Sequence, residues 1–276
     1  MASPTYFTAG VSGDPTNASN WSNGLPVDTG TFIVPASTGV KMTGGDLSSV
    51  DAALGIIEKG YRFDIGGSGD RFRIACGKIV HAGDGKLWLN AEHASADIDK
   101  LVLQGTGGAD VDDDGTAQIL DILVESGRLD YNCGGGSDRV EVIGSNSRFE
   151  AISGAGTIAL YTQTAGVGNN DGVTMTRAEL LGSALFTMLR DNNGTIGSEG
   201  ILVGGSARCR YNSSVTLPLA RVYGGLLDFT KNPYAITVTE LVSRKPGMVN
   251  KGLGQVTFGA ASSIGDGTVV GGVADV

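Results

Sequence analysis

Asp121-Ile-Leu-Val-Glu-Ser-Gly-Arg-Leu-Asp-Tyr131 reads as a short strand, a small-residue turn and a second short strand. Three further stretches repeat it: Val140-Glu-Val-Ile-Gly-Ser-Asn-Ser-Arg-Phe-Glu150, Gly200-Ile-Leu-Val-Gly-Gly-Ser-Ala-Arg-Cys-Arg210 and Ala220-Arg-Val-Tyr-Gly-Gly-Leu-Leu-Asp-Phe229. Aligned on the small residue before the second strand, at Gly127, Ser147, Ser206 and Gly225, they are separated by 20, 59 and 19 residues. The period is therefore about 20, with 59 close to three units, and a fixed period of this kind signals a repeat architecture. Strand-like segments such as Lys86-Leu-Trp-Leu-Asn90 and Lys100-Leu-Val-Leu-Gln104, each followed by Gly, Asn, Ser or Asp, extend the pattern. The reading is all-β: a single-stranded β-solenoid (parallel β-helix) with coils of about 20 residues, stacked about 4.8 Å apart so that each buries the apolar face of the last. Alternation places Ile122, Val124, Leu129, Val140, Val142, Phe149, Leu202, Cys209, Val222 and Leu227 inside. Two segments, 48–57 and 176–186, also fit short helices, the second with Thr176 and Glu179 at capping-box spacing. The repeat predicts strand in both, and Gly182 interrupts the second.

Composition agrees. Of 276 residues 45 are glycine, about twice the usual share, and with no period of three they imply frequent corners rather than collagen. A 41% hydrophobic content furnishes a core. The net charge of −9 argues against nucleic-acid or anionic-membrane partners. No apolar run approaches a membrane span, and the first residues lack the build of a signal peptide, so the expectation is a chain made in the cytoplasm. Cys76, Cys133 and Cys209 are odd in number and far apart, which predicts buried free thiols rather than a disulfide framework or zinc site.

Residues 1–45 differ from the rest, carrying Pro4, Pro15, Pro26 and Pro35 and polar clusters around Trp21. They are expected to be an N-terminal arm or cap, with 46–260 the solenoid body and 261–276 a C-terminal cap or tail. Trp21 and Phe32 are candidates for a lid over the first coil. The stretch Asn20-Trp21-Ser-Asn-Gly24-Leu-Pro26-Val-Asp28-Thr-Gly-Thr-Phe32-Ile-Val-Pro35 resembles the lead-in of many β-helical surface proteins, among them autotransporter passengers and phage virion components. The chain shows neither a secretion signal nor a translocator barrel, which turns the resemblance toward the phage members.

Asp110-Val-Asp112-Asp113-Asp114-Gly115, followed by Asp121, has carboxylates at positions 1, 3, 5 and 12 and glycine at 6, the spacing of an EF-hand calcium loop. Asp110, Asp112, Asp114 and Asp121 are the candidate calcium ligands, the one cofactor the sequence suggests. The plain acidic turn is the favoured alternative, because Asp121 replaces the usual bidentate Glu and no helices flank the loop. Asp64-Ile-Gly66-Gly67-Ser-Gly69-Asp70 lacks the P-loop lysine and reads as a corner. Glu141 and Glu150 read as outward charges rather than a glycosidase pair, and His81 as a surface or turn residue. No nucleophile, base and orienter group together, so no enzyme is expected.

The resemblance then implies a non-enzymatic virion structural protein on the virus surface: a phage capsid decoration or cement protein, homo-oligomeric and by that likeness trimeric, bound to a capsid or other virion protein. Residues 1–45 are the expected anchor, with 1–15 dispensable for folding. The alternatives are a tail fibre or tailspike binding or cleaving host polysaccharide, and a bacterial surface adhesin.

Overall fold

The computed structural model describes residues 3–10, 12–90, 98–113, 118–151, 156–188, 194–252 and 256–271. The fold is an all-β parallel β-solenoid with turns of about 21 residues, its first strands standing outside the repeating coils. Among the described residues, helix is confined to one 3-10 turn, Ala18–Asn20, and no helix is long and apolar enough to cross a membrane. The chain divides into two compact units, Met1–Asp138 and Arg139–Val276.

In the first unit, strands Thr31–Val34, Leu54–Ile57, Phe72–His81, Ile98–Leu103 and Ile119–Val124 form one parallel ladder, aligning Val34, Ile57, His81, Leu103 and Val124. A second ladder joins Leu87–Asn90, Ala109–Asp113 and Arg128–Cys133, stacking Leu87, Ala109 and Leu129. The N-terminal segment packs onto these coils. Thr5–Tyr6 pairs parallel with Thr31–Val34, and an edge-to-face chain of rings runs Phe7–Trp21–Phe32–Phe72 at centroid distances of 5.2, 6.3 and 6.1 Å. Trp21 Nε1 donates to the Pro15 carbonyl at 2.8 Å, and Thr38 Oγ1 to the Phe7 carbonyl at 2.9 Å. Within residues 1–15, which the sequence reading takes as dispensable for folding, Phe7 is fully buried and Pro15 closes the indole's hydrogen bond.

The second unit shows the repeat most clearly. One inward ladder runs Phe149, Gly168, Phe186, Cys209, Leu227, Val249, Val269, in steps of 19, 18, 23, 18, 22 and 20 residues. Three steps separate Phe149 from Cys209, so the long interval in the sequence contains two intervening coils, through Val167–Asn170 and Leu185–Met188. A second ladder runs Gln163, Leu180, Val203, Val222, Ser243, Ile264. Gly168 stands where a larger side chain would overfill the core. Tyr161 lies between Phe149 and Phe186, at ring distances of 4.9 and 5.2 Å, and its hydroxyl donates to Gln163 Oε1 at 3.0 Å. The Gln163 amide nitrogen donates in turn to the Ala165, Gly166 and Leu185 carbonyls, so this buried polar group has the partners that burial requires.

Nine of the ten expected inward residues are buried, and Leu202 is the exception. It stands in an outward row between Glu179 and Arg221, while Ile201 and Val203 point inward. Both helix alternatives fold as strand, as Gly45–Ala52 with Leu54–Ile57 and as Thr174–Leu180 with Leu185–Met188. Each gains a ladder on the neighbouring coil, and that pairing outweighs the weak local propensity. Pairing also continues past residue 260, since Ser263–Ile264 and Thr268–Gly271 extend the ladders.

Candidate functional site

Two outward surfaces gather side chains with chemistry. On the first unit, alternation along Ala109–Asp113 turns Val111 inward and leaves Asp110 and Asp112 on the outer side. Arg71 Nη2 meets Asp110 Oδ1 at 2.9 Å and Asp112 Oδ2 at 3.0 Å. Lys86 Nζ bridges Asp110 Oδ2 at 3.0 Å and Asp130 Oδ2 at 2.7 Å, and Arg128 Nε reaches Asp130 Oδ1 at 2.5 Å. Asn132 donates to Asp112 Oδ1 at 2.6 Å. Trp88, in register with Asp110, lies under both cations, with Lys86 Nζ 4.3 Å and the Arg71 guanidinium carbon 5.4 Å from its ring centroid. Burial pulls the Lys86 ammonium downward, but its bonds to Asp130 and Asp110 outweigh that and hold it above the usual lysine range. Beside the network lies an open depression of about 290 Å³ lined by Ser68, Gly69, Arg71, Arg73, Asn90 and Asp112.

This arrangement answers charge with charge. Asp110, Asp112 and Asp130 each face a cation. Three of the four expected calcium ligands lie among the described residues. Asp110 and Asp112 share the strand face just described, Asp121 stands on Ile119–Val124 opposite Lys100, and Asp114 lies outside the described residues. Among the described residues, no group of three or more His, Cys, Asp or Glu could hold a metal ion. The Gly66–Gly69 run is a corner, with Asp64 Oδ1 accepting from Lys86 N at 2.8 Å and Asp70 Oδ2 from Gly44 N at 3.0 Å. His81 corrects its expected place: it is 1% exposed inside the coil, its Nε2 2.9 Å from the Gly85 carbonyl. Glu150 pairs with Arg148 on the outer face, where Asn169 also donates to it.

On the second unit, the strands of the Phe149 ladder present two outward rows. The first runs Arg148, Val167, Leu185, Arg208, Leu226, Met248 and the second Glu150, Asn169, Thr187, Arg210, Asp228, Asn250. Val167, Leu185 and Met248 are 39%, 50% and 41% exposed, and with Leu226 they form an apolar row interrupted by Arg208, on coils about 4.8 Å apart. Arg208 Nη2 bonds Asp228 Oδ2 at 2.5 Å, and Thr230 donates to Asp228 Oδ1 through its backbone N–H and its hydroxyl. Burial pushes the Asp228 carboxyl up, yet these bonds outweigh it and hold the group below the usual range. Arg210 Nε is buried without a hydrogen-bond partner among the described residues. A depression of about 260 Å³ lined by Val167, Leu185, Phe186, Thr187, Arg208 and Arg210 opens here.

Neither surface was picked out from sequence. The signal was present as the repeat itself, since Trp88, Asp110 and Asp130 follow at steps of 22 and 20 residues, as do the members of the apolar row at similar steps. Compared with known proteins, the chain matches no family, no curated protein and no solved structure. What the structure defines is a class, the parallel β-solenoid.

Proposed function

We propose that this chain is a non-enzymatic structural protein that works by side-by-side assembly, as a homo-oligomeric decoration or cement protein on a phage capsid. The observation that carries the assembly reading is the outward row of Val167, Leu185, Leu226 and Met248 on a ladder whose backbone bonds are already satisfied within the solenoid. Apolar side chains gathered along one solenoid face are a surface for protein contact rather than turnover. The charge-paired network around Trp88 supports the same reading, because its carboxylates are engaged by Arg71, Lys86 and Arg128. Placement on a virus particle rests on the likeness of the Trp21–Pro35 segment to the lead-in of phage β-helical proteins. The test is to mix the purified protein with its parent capsids and image the particles. Ordered decoration at fixed lattice positions is the expected result. Bare capsids, or cleavage of a host polysaccharide by the protein alone, would overturn it.

A further inference from the structure

We propose that the apolar row with Arg210 is one half of a contact between copies of this chain, whose other half is the opposite-ladder face carrying Leu202, Val242 and Glu240. This rests on the assembly reading above and adds the interface. Three observations from the second unit carry it. The row Val167, Leu185, Arg208, Leu226, Met248, apolar except at Arg208, advances one side chain per coil, so the surface that matches it along its whole length has the same spacing of about 4.8 Å, namely another solenoid face. The Gln163 ladder supplies such a face, with its outward row Glu179, Leu202, Arg221, Val242 at the same one-per-coil advance and Glu240 beside it opposite Leu219. The charges then complement each other: Arg210 presents a half-exposed guanidinium whose Nε lacks an acceptor among the described residues, and Glu240, half-buried on the other face, is a carboxylate opposite Leu219 and two residues from Val242. A charge-assisted Arg–carboxylate bond desolvated by the apolar rows is the kind that fixes register at an interface.

The contact joins two different faces, so it is heterologous and generates a ring when the rotation closes. Size favours the ring over an isolated pair. The four coil spacings from Val167 to Met248 and four residues of strand give one face a footprint of about 19 by 13 Å. That is roughly 250 Å², under a third of the ~800 Å² per partner of a stable interface. In a ring each protomer uses both faces, which doubles the contact it makes.

Sedimentation velocity and native mass spectrometry of the full chain at several concentrations test this, with Leu185→Glu, Met248→Glu, Arg210→Glu, Glu240→Arg and the double variant Arg210→Glu/Glu240→Arg. All four positions lie at the surface or half-exposed, and circular dichroism verifies each fold. The expected result is an oligomeric parent, a shift to monomer in each single variant, and recovery of the oligomer in the double variant. An oligomeric parent left intact by both Leu185→Glu and Met248→Glu overturns this interface while leaving self-assembly standing. A parent that is monomeric at every concentration overturns the assembly reading itself. A monomeric parent whose binding to capsids is abolished by Leu185→Glu assigns the face to the particle and overturns the second-copy contact.

Discussion

Gly168 offers the most demanding test of the packing inside the coils. A Cβ at this position would lie 2.5 Å from Tyr161 Oη, 2.6 Å from Gln163 Oε1 and 2.8 Å from Phe186 Cδ2. Ordinary contact begins near 3.4 Å, so Gly168→Ala asks for shifts of about 0.6 to 0.9 Å from three side chains that are 0% to 1% exposed. Overpacking of a dense core costs about 1–3 kcal/mol. Displacing the Tyr161 hydroxyl from Gln163 Oε1 leaves a buried acceptor unpaired, at about 1–3 kcal/mol more. Against this, alanine restricts the unfolded chain and returns about 0.4–1 kcal/mol. The net expectation is a loss of about 2–4 kcal/mol, seen in urea unfolding followed by far-ultraviolet circular dichroism and, because solenoids open locally, in faster amide exchange over residues 158–188. Two companions sharpen the measurement. Gly39→Ala, whose added carbon meets nothing within 4 Å, should change stability by less than about 0.5 kcal/mol. Tyr161→Phe removes the closest clashing atom, so the double variant Gly168→Ala/Tyr161→Phe should be less destabilised than the sum of its parts. A Gly168→Ala protein as stable as its parent, or strict additivity with Tyr161→Phe, would refute this account of the core.

Burial pushes the Cys76 thiol up to about 11 and Cys209 higher still, and all three cysteines are buried. A thiol reagent at pH 8 should therefore label the native protein slowly and react fully only after denaturation, and rapid native labelling would contradict the burial. Burial drives His81 below its ordinary range, only partly countered by the Gly85 carbonyl. The unfolded chain then takes up this proton first, so stability should fall as pH drops below about 6.5, by at most about 1.4 kcal/mol per pH unit, and a His81→Leu variant should flatten that slope. Trp21 is 4% exposed between Phe7 and Phe32, and Trp21→Ala should lower unfolding stability by about 3–5 kcal/mol. A variant as stable as the parent would show that the N-terminal segment does not cap the first coils.

How far the sequence speaks depends on the kind of order being asked for. The strand–turn–strand units at Asp121–Tyr131 and Gly200–Arg210 carry period-2 alternation, and alternation reports which side of a strand is buried wherever polar and apolar residues interleave. It fails at Ile201-Leu202-Val203, three consecutive apolar residues, where only register with Glu179 and Arg221 shows that the middle one is outward. It fails at His81 for the opposite reason: a polar residue occupies an inward place because the Gly85 carbonyl, four residues on, satisfies Nε2 inside the coil. Surfaces lie one level further away. The row joining Val167, Leu185, Arg208 and Leu226 advances by 18, 23 and 18 residues, because each corner takes up a different number of residues while the strands keep their stacking. A uniform period of 20 therefore predicts that coils exist but misplaces which side chains become neighbours by two or three positions, more than the one-residue slip that reverses a strand's faces. Arg71, 39 residues before Asp110, meets it only because two successive coils bring their corners and strands into line. In a solenoid the core is thus written locally in each strand, whereas a binding face is written in the differences between corner lengths, and those differences acquire meaning only once the ladders are built.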